Sequence, residues 1–306
     1  MTRTVGICCV TLLTLVPASG SERTVPVQGR AVPALVTELS AGDPMARARA
    51  ACELREIGDG ALPAIQPLVG LLGDAAPIES SVCGQRWWRG EANDLTSPGE
   101  QAAAALVAIG TRAFQPVLGA LRSTTWAARR NAAWALGALD DQRAVEALVE
   151  TLKDREPGVR EQAVWALGAL DASDAVPALT GALKDPDPRV RRQAAWALGA
   201  IDDRRGAAPL VSALADEDDR TREQAAWALG ALDEPSAVPA LIKALGDSAP
   251  KVRQQAAWAL GAIDDRRAVD GLVRALTIRA AACGSRPRGR SAPSAIRARC
   301  RAFCRR

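Results

Sequence analysis

"QAAWALGAIDDRR", Gln193 to Arg205, returns as "QQAAWALGAIDDRR" at Gln254 to Arg267. Near-copies surround Trp134, Trp165 and Trp227, so five tryptophans (Trp134, Trp165, Trp196, Trp227 and Trp258) stand 31 residues apart. A constant period of this length marks a stacked repeat array. In the unit from Arg189 to Asp219, Val190, Ala194, Ala197, Leu198 and Ile201 fall at helical spacing and make one apolar face. The second half of the unit, "AAPLVSAL", reads as a shorter helix; sister units spell "AVPALTGAL" and "AVPALIKAL" there. Pro177, Pro209 and Pro239 fall in the first turn of that helix, where an amide has no intrahelical acceptor. Acid- and proline-rich links such as "KDPDP", Lys184 to Pro188, stop one helix and cap the next.

Weaker copies extend the pattern toward the N-terminus. "AVPALVTELS" from Ala31 is a short helix, and "MARARAACELREIGD" from Met45 is a long one with Cys52 at the tryptophan place. "PGEQAAAALVAIG" from Pro98 is long, with Ala104 there. Eight short and seven long helices are expected in all. Ala, Leu and Val dominate the apolar residues, there are two Phe and Tyr is absent, a composition that suits close-packed helices.

The motif V-R-x-x-A-[AV]-x-A-L-G-A-[LI]-D, seen at Val159, Val190 and Val252, with A-V-x-A-L after the first of them, resembles the HEAT repeat family, in its short form found in phycobilin lyase subunits. The resemblance implies an all-α fold: a right-handed α-solenoid of stacked antiparallel helix pairs over 31–278. It places the V-R helix on the concave side and the proline-containing helix on the convex side. It also implies that Arg160, Arg191, Arg222 and Arg253 form a structural ladder, each bridging to an acid of the neighbouring link.

The tryptophans do not follow from the core stripe. Stepping 100° per residue from Val190, Trp196 lies well away from the apolar face, beside Arg192 and Gln193. Two readings stay open. With neighbouring helices about 8–10 Å apart, the five indoles form a row about 40 Å long that presents a binding surface. Alternatively, each indole is a wedge against the Ala or Gly of the next helix. Glu161, Arg192, Glu223 and Gln254 occupy one equivalent position beside the row. Nucleic acid calls for uniformly basic residues there, so it is not expected as a partner.

The chain has no histidine, which removes Ser-His-Asp and Cys-His nucleophile activation and imidazole metal sites. No catalytic residue, metal or cofactor is expected. The formal charge of +4 falls to −5 once the nine arginines of the acid-free stretch 279–306 are removed, so the array itself is mildly acidic.

Residues 1–20 read as a secretory signal: Arg3, the apolar run Val5 to Val16, then small residues at Ala18 and Gly20. A linker, 21–30, follows. Secretion or residence in a periplasm is therefore expected, with no stable membrane span after cleavage and disulfides permitted. An insertion, 75–97, interrupts the period and carries Cys83, Trp87 and Trp88. A Cys52–Cys83 disulfide would tie it down; two unrelated thiols is the alternative. "WWRG" there is either a second contact surface or the seal of that staple.

After Leu276 the repeat stops where its next V-R helix is due. The Arg- and Cys-rich tail 279–306 reads as a basic interaction tail, a degraded cap, or an out-of-frame translation of repeat sequence, the last being preferred. Taken together, these features lead to an exported, non-catalytic, monomeric scaffold that holds a protein or extended peptide. The alternatives are a lyase or chaperone for a phycobilin-like chromophore, implied by the resemblance alone, and a sensor or regulatory part of a larger protein.

Overall fold

A computed structural model describes residues 30–83, 95–263, 265–269 and 271–273. The compact unit that holds every described helix begins at Ala31. In chain order the helices are α1 (Val32–Glu38), α2 (Pro44–Ile57), α3 (Ile65–Leu71), α4 (Pro98–Ile109), α5 (Phe114–Ala120), α6 (Trp126–Ala138) and α7 (Val145–Thr151). They continue as α8 (Pro157–Ala169), α9 (Val176–Ala182), α10 (Pro188–Ala200), α11 (Ala207–Ala213), α12 (Asp219–Ala231), α13 (Val238–Ala244) and α14 (Pro250–Ala262). Residues 266–269 and 271–273 are again helical. Seven long helices thus alternate with seven shorter ones among the described residues, in the expected order, and the two further helical stretches stand where the eighth short helix is expected.

The long helices α2, α4, α6, α8, α10, α12 and α14 stack on one another as one layer. Each also packs on its short neighbour, so the short helices form a second layer. This is an α-solenoid. No single helix pair can bury its apolar stripe alone; stacking completes the core. The core runs between the layers: Leu136, Leu167, Leu198 and Leu229 are fully buried from the long helices, and Leu148, Leu179, Leu210 and Leu241 from the short ones.

The boundaries follow from local chemistry. Proline opens α2, α4, α8, α10 and α14 at the first turn. Asp43, Ser97, Asp187 and Asp218 accept amide hydrogen bonds as N-caps. After α2, α4, α6, α8, α10 and α12 the chain turns through left-handed backbone. Asp140, Asp171, Asp202 and Asp233 take that place with φ of 46–54°. Gly58 and Gly110 take it after α2 and α4, at φ 63° and 88°. Asp is among the few residues that tolerate this region because its short side chain can hydrogen-bond locally.

The insertion is folded back on the array at both ends. Ile78–Glu79 (β1) pairs antiparallel with Leu95–Thr96 (β2). Cys52 and Cys83 form a disulfide, with Cα atoms 5.7 Å apart. Trp87 and Trp88 lie outside the described residues, as do the expected signal segment 1–20, the rest of the expected linker before Arg30, and the tail 279–306.

Candidate binding face

The expected surface row sits on the long-helix layer. On α8, α10 and α12 it is built from Glu161, Gln162 and Trp165, then Arg192, Gln193 and Trp196, then Glu223, Gln224 and Trp227, all half-buried. Spacing of one and four residues sets each trio on one side of its helix. Between neighbours the charges alternate, and Arg192 Nη2 lies 4.0 Å from Glu161 Oε1. Trp258, on α14, is 48% exposed.

Each indole has two environments. A methyl placed on Gly137 would lie 3.1 Å from Cζ3 of Trp165 and 2.6 Å from Cα of Ala166. The same joint recurs between Gly168 and Trp196, Gly199 and Trp227, and Gly230 and Trp258, with Cζ3 at 2.8, 3.0 and 2.7 Å. These positions need glycine because the next helix backbone and the far end of the next indole fill the space of a side chain. The ring is therefore an inter-repeat wedge at its far end, while the side chains of Trp165, Trp196 and Trp227 stay half-exposed.

Trp134 departs from the row. It is only 6% exposed, and its ring stacks on Trp165 at 6.3 Å between centroids. The helical wheel placed all five tryptophans off the core because it recognises only the seam between the two layers. A solenoid has a second buried direction, along the stack, and the indoles point into it.

Arg160, Arg191 and Arg222 bridge successive links. Arg160 donates from Nε and Nη2 to Asp185 at 2.7 and 2.8 Å, and from Nη1 to the Asp154 carbonyl at 2.8 Å. Arg191 meets Asp216, and Arg222 meets Asp247, in the same bidentate way. The hydrogen bond to Asp185 holds the Arg160 pKa above its ordinary value, against the opposing effect of burial. Arg253 keeps the carbonyl bonds, to Asp247 and Ser248.

Two ladder members are invisible to the motif because Ala replaces the preceding Val. Arg129 binds Asp154 and Arg47 binds Asp74, at 2.6 Å each. The 31-residue register before Arg160 was the available signal for Arg129. A second bridge also escaped the motif. Asp141, Asp203 and Asp265 each pair with the arginine two residues on. Arg205 and Arg267 then reach the carbonyls of Ser173 and Pro235 in the preceding repeat. The recurring D-x-R spacing carries this signal.

At the root of the insertion, Glu100 and Gln101 are buried. Glu100 pairs with Arg130 at 2.7 Å and accepts from the Thr96 hydroxyl at 2.9 Å; Gln101 Nε2 donates to the same hydroxyl oxygen at 3.0 Å. Among the described residues no three His, Cys, Asp or Glu side chains are placed to hold a metal, and no helix is long and apolar enough to cross a membrane.

The chain matches the family model for HEAT repeats over residues 99–158, 146–225 and 207–282. In structure it is similar to Kap95p bound to RanGDP (TM-score 0.61, 13% identity, 80% of this chain and 39% of that one). Yeast importin-beta, Kap95p, gives 0.59 and 14% identity over 82% of this chain and 39% of that one. The complex of CpcE and CpcF of phycocyanin lyase from Nostoc sp. PCC7120 aligns at 0.43 with 23% identity, covering 86% of this chain and all of that one. The chain thus spans well under half of the importin's length. No curated protein matches it in sequence.

Proposed function

Because this chain belongs to the HEAT repeat family, we propose that it is an exported, non-catalytic scaffold whose long-helix face holds a protein or extended peptide. The observation that carries this reading is the stripe of half-buried indoles at Trp165, Trp196 and Trp227, flanked by glutamines and by charges of alternating sign. Indoles already held at one end by the neighbouring repeat lose little conformational freedom on binding, and a rim of mixed charge suits a protein partner. The Kap95p structure with RanGDP supports a protein partner for this kind of fold. The absence of histidine and tyrosine supports a non-catalytic role, and the apolar run Val5 to Val16 supports export.

Gln162, Gln193 and Gln224 line the stripe without entering the glycine joints, so changing them separates binding from folding. Partners captured from the exported fraction of the source cell by the wild-type chain should be lost when all three become Glu, with an unchanged melting temperature. Retention of the same partners by the triple variant would show that this face does not bind them. Appearance of the chain only in the cytoplasmic fraction would remove the export part of the proposal.

A further inference from the structure

The last described long helix ends the array with an unfilled copy of its own joint. Gly137, Gly168, Gly199 and Gly230 each face the tryptophan 28 residues further on, whereas a methyl on Gly261 would meet nothing within 4 Å among the described residues. Val269 is 59% exposed, although its counterparts Val238 and Val176 are 0% and 2% exposed. Arg129, Arg160, Arg191 and Arg222 each find an aspartate 25 residues on. For Arg253 that place holds Ile278, and the place 28 residues after Gly261 holds Gly289. The open face therefore calls for an acid at 278, a V-R pair at 283 and 284, and an indole at 289.

The genetic code permits all of these from the same stretch, one frame over. Let each codon begin on the third base of the codon before it. Thr277 followed by Ile278 then permits aspartate at 278. Ala282 followed by Cys283 permits valine. Cys283 followed by Gly284 permits only arginine or tryptophan. Gly284 to Arg286 permit glutamine twice, Pro287 and Arg288 permit alanine twice, and Arg288 followed by Gly289 permits tryptophan. The stretch from Gly289 to Ile296 then permits A-L-G-A-I-G-D, and Phe303 followed by Cys304 permits only leucine.

One choice of codons satisfies every step and spells V-R-Q-Q-A-A-W-A-L-G-A-I-G-D-P-R-A-V-P-G-L-L-S-A over 283–306. This matches "VRQQAAWALGAIDDRRAVDGLVRA", Val252 to Ala275, in the unbroken 31-residue register. Where the other repeats carry the left-handed aspartate, the shifted frame permits glycine, the residue found there at Gly58 and Gly110. Loss of a single base near codon 277 produces this arrangement.

We propose that the coding sequence continues the array across a one-base loss, and that the open end of α14 is the seat of the repeat spelled in the shifted frame. The occupant is a further helix pair of the same kind, with its indole on Gly261 and its aspartate on Arg253. Reading the coding DNA from codon 276 to codon 306 tests the first part. The shifted frame should spell the V-R helix; a stop codon or unrelated residues there overturn the proposal.

The second part compares the chain as it stands with one in which the base is restored at codon 277. Restoration should raise the thermal midpoint and shift the tryptophan emission to the blue. Gly261→Ala should be harmless in the present chain and lower the midpoint of the restored one. Equal, harmless behaviour of Gly261→Ala in both chains, or burial of Trp258 by a second copy of the present chain in a stable dimer, overturns the assignment of the seat.

Discussion

The repeats before and after Trp126 hold their neighbours by different means. From α6 onward each long helix meets the next through a glycine, the backbone of an alanine and the edge of an indole. Before it, the tryptophan places carry Cys52 and Ala104, and α4 has Val107 where the later helices carry glycine. There the Cys52–Cys83 disulfide and the buried Glu100–Arg130 pair tie α2, the insertion, α4 and α6 together. The regular region thus relies on shape repeated identically, and the irregular one on a covalent link and a specific charge pair. The Arg–Asp bridge between links is common to both, at Arg47–Asp74 and from Arg129–Asp154 to Arg222–Asp247.

The sharpest way to break this contrast is at the staple. Cys83→Ala should destabilise the N-terminal repeats by about 3–4 kcal/mol, from the chain entropy of the loop it closes. Denaturation should show an early phase in hydrogen exchange over α2 and α4, with α10 to α14 protected as before. Next in size is the bridge common to both regions. Asp185→Ala strands the Arg160 guanidinium, with side-chain exposures of 11% and 9% in the pair, and should cost about 3 kcal/mol in urea unfolding.

The glycine joint predicts a smaller change whose sign depends on position. Gly199→Ala puts a methyl 2.7 Å from Cβ and 2.8 Å from Cα of Ala228, so the helices must part, at about 2 kcal/mol. Gly181→Ala, at an exposed position of α9 with no described atom within 4 Å, should instead stabilise by about 0.5–1 kcal/mol. Equal effects of the two in thermal melts would deny the joint any special tightness.

The mildest expected effect is in pH. The Arg222 hydrogen bond holds Asp247 below its ordinary pKa of 3.8, against burial, which acts the other way. A depressed carboxylate contributes fully above its unfolded value and loses that contribution as pH falls through the folded one. The melting temperature should therefore fall below about pH 4, and Asp247→Asn should flatten that acid limb.

The helix order and the proline-opened turns were legible because each rests on local spacing that recurs, and the Arg160, Arg191 and Arg222 bridges were legible through the resemblance to the HEAT repeat family. The Cys52–Cys83 pairing was legible as one of two alternatives, since the repeat register set Cys52 at a tryptophan place and the insertion carries Cys83. The D-x-R bridges to Ser173 and Pro235 were not, because their acceptors are backbone carbonyls, which no side-chain pattern marks.

The amino-acid order by itself determined that there are stacked helix pairs, where each begins and ends, and which stripe closes the seam between layers. Those are properties of one unit, and the chemistry of capping, turning and amphipathic spacing acts within a unit. The tertiary structure alone decided where the tryptophan rings pack. The buried ends of Trp165, Trp196, Trp227 and Trp258 face along the stack, onto a glycine of the preceding unit, a direction that exists only once two units are in contact. For the same reason only the structure exposes Gly261 as an empty place in that series.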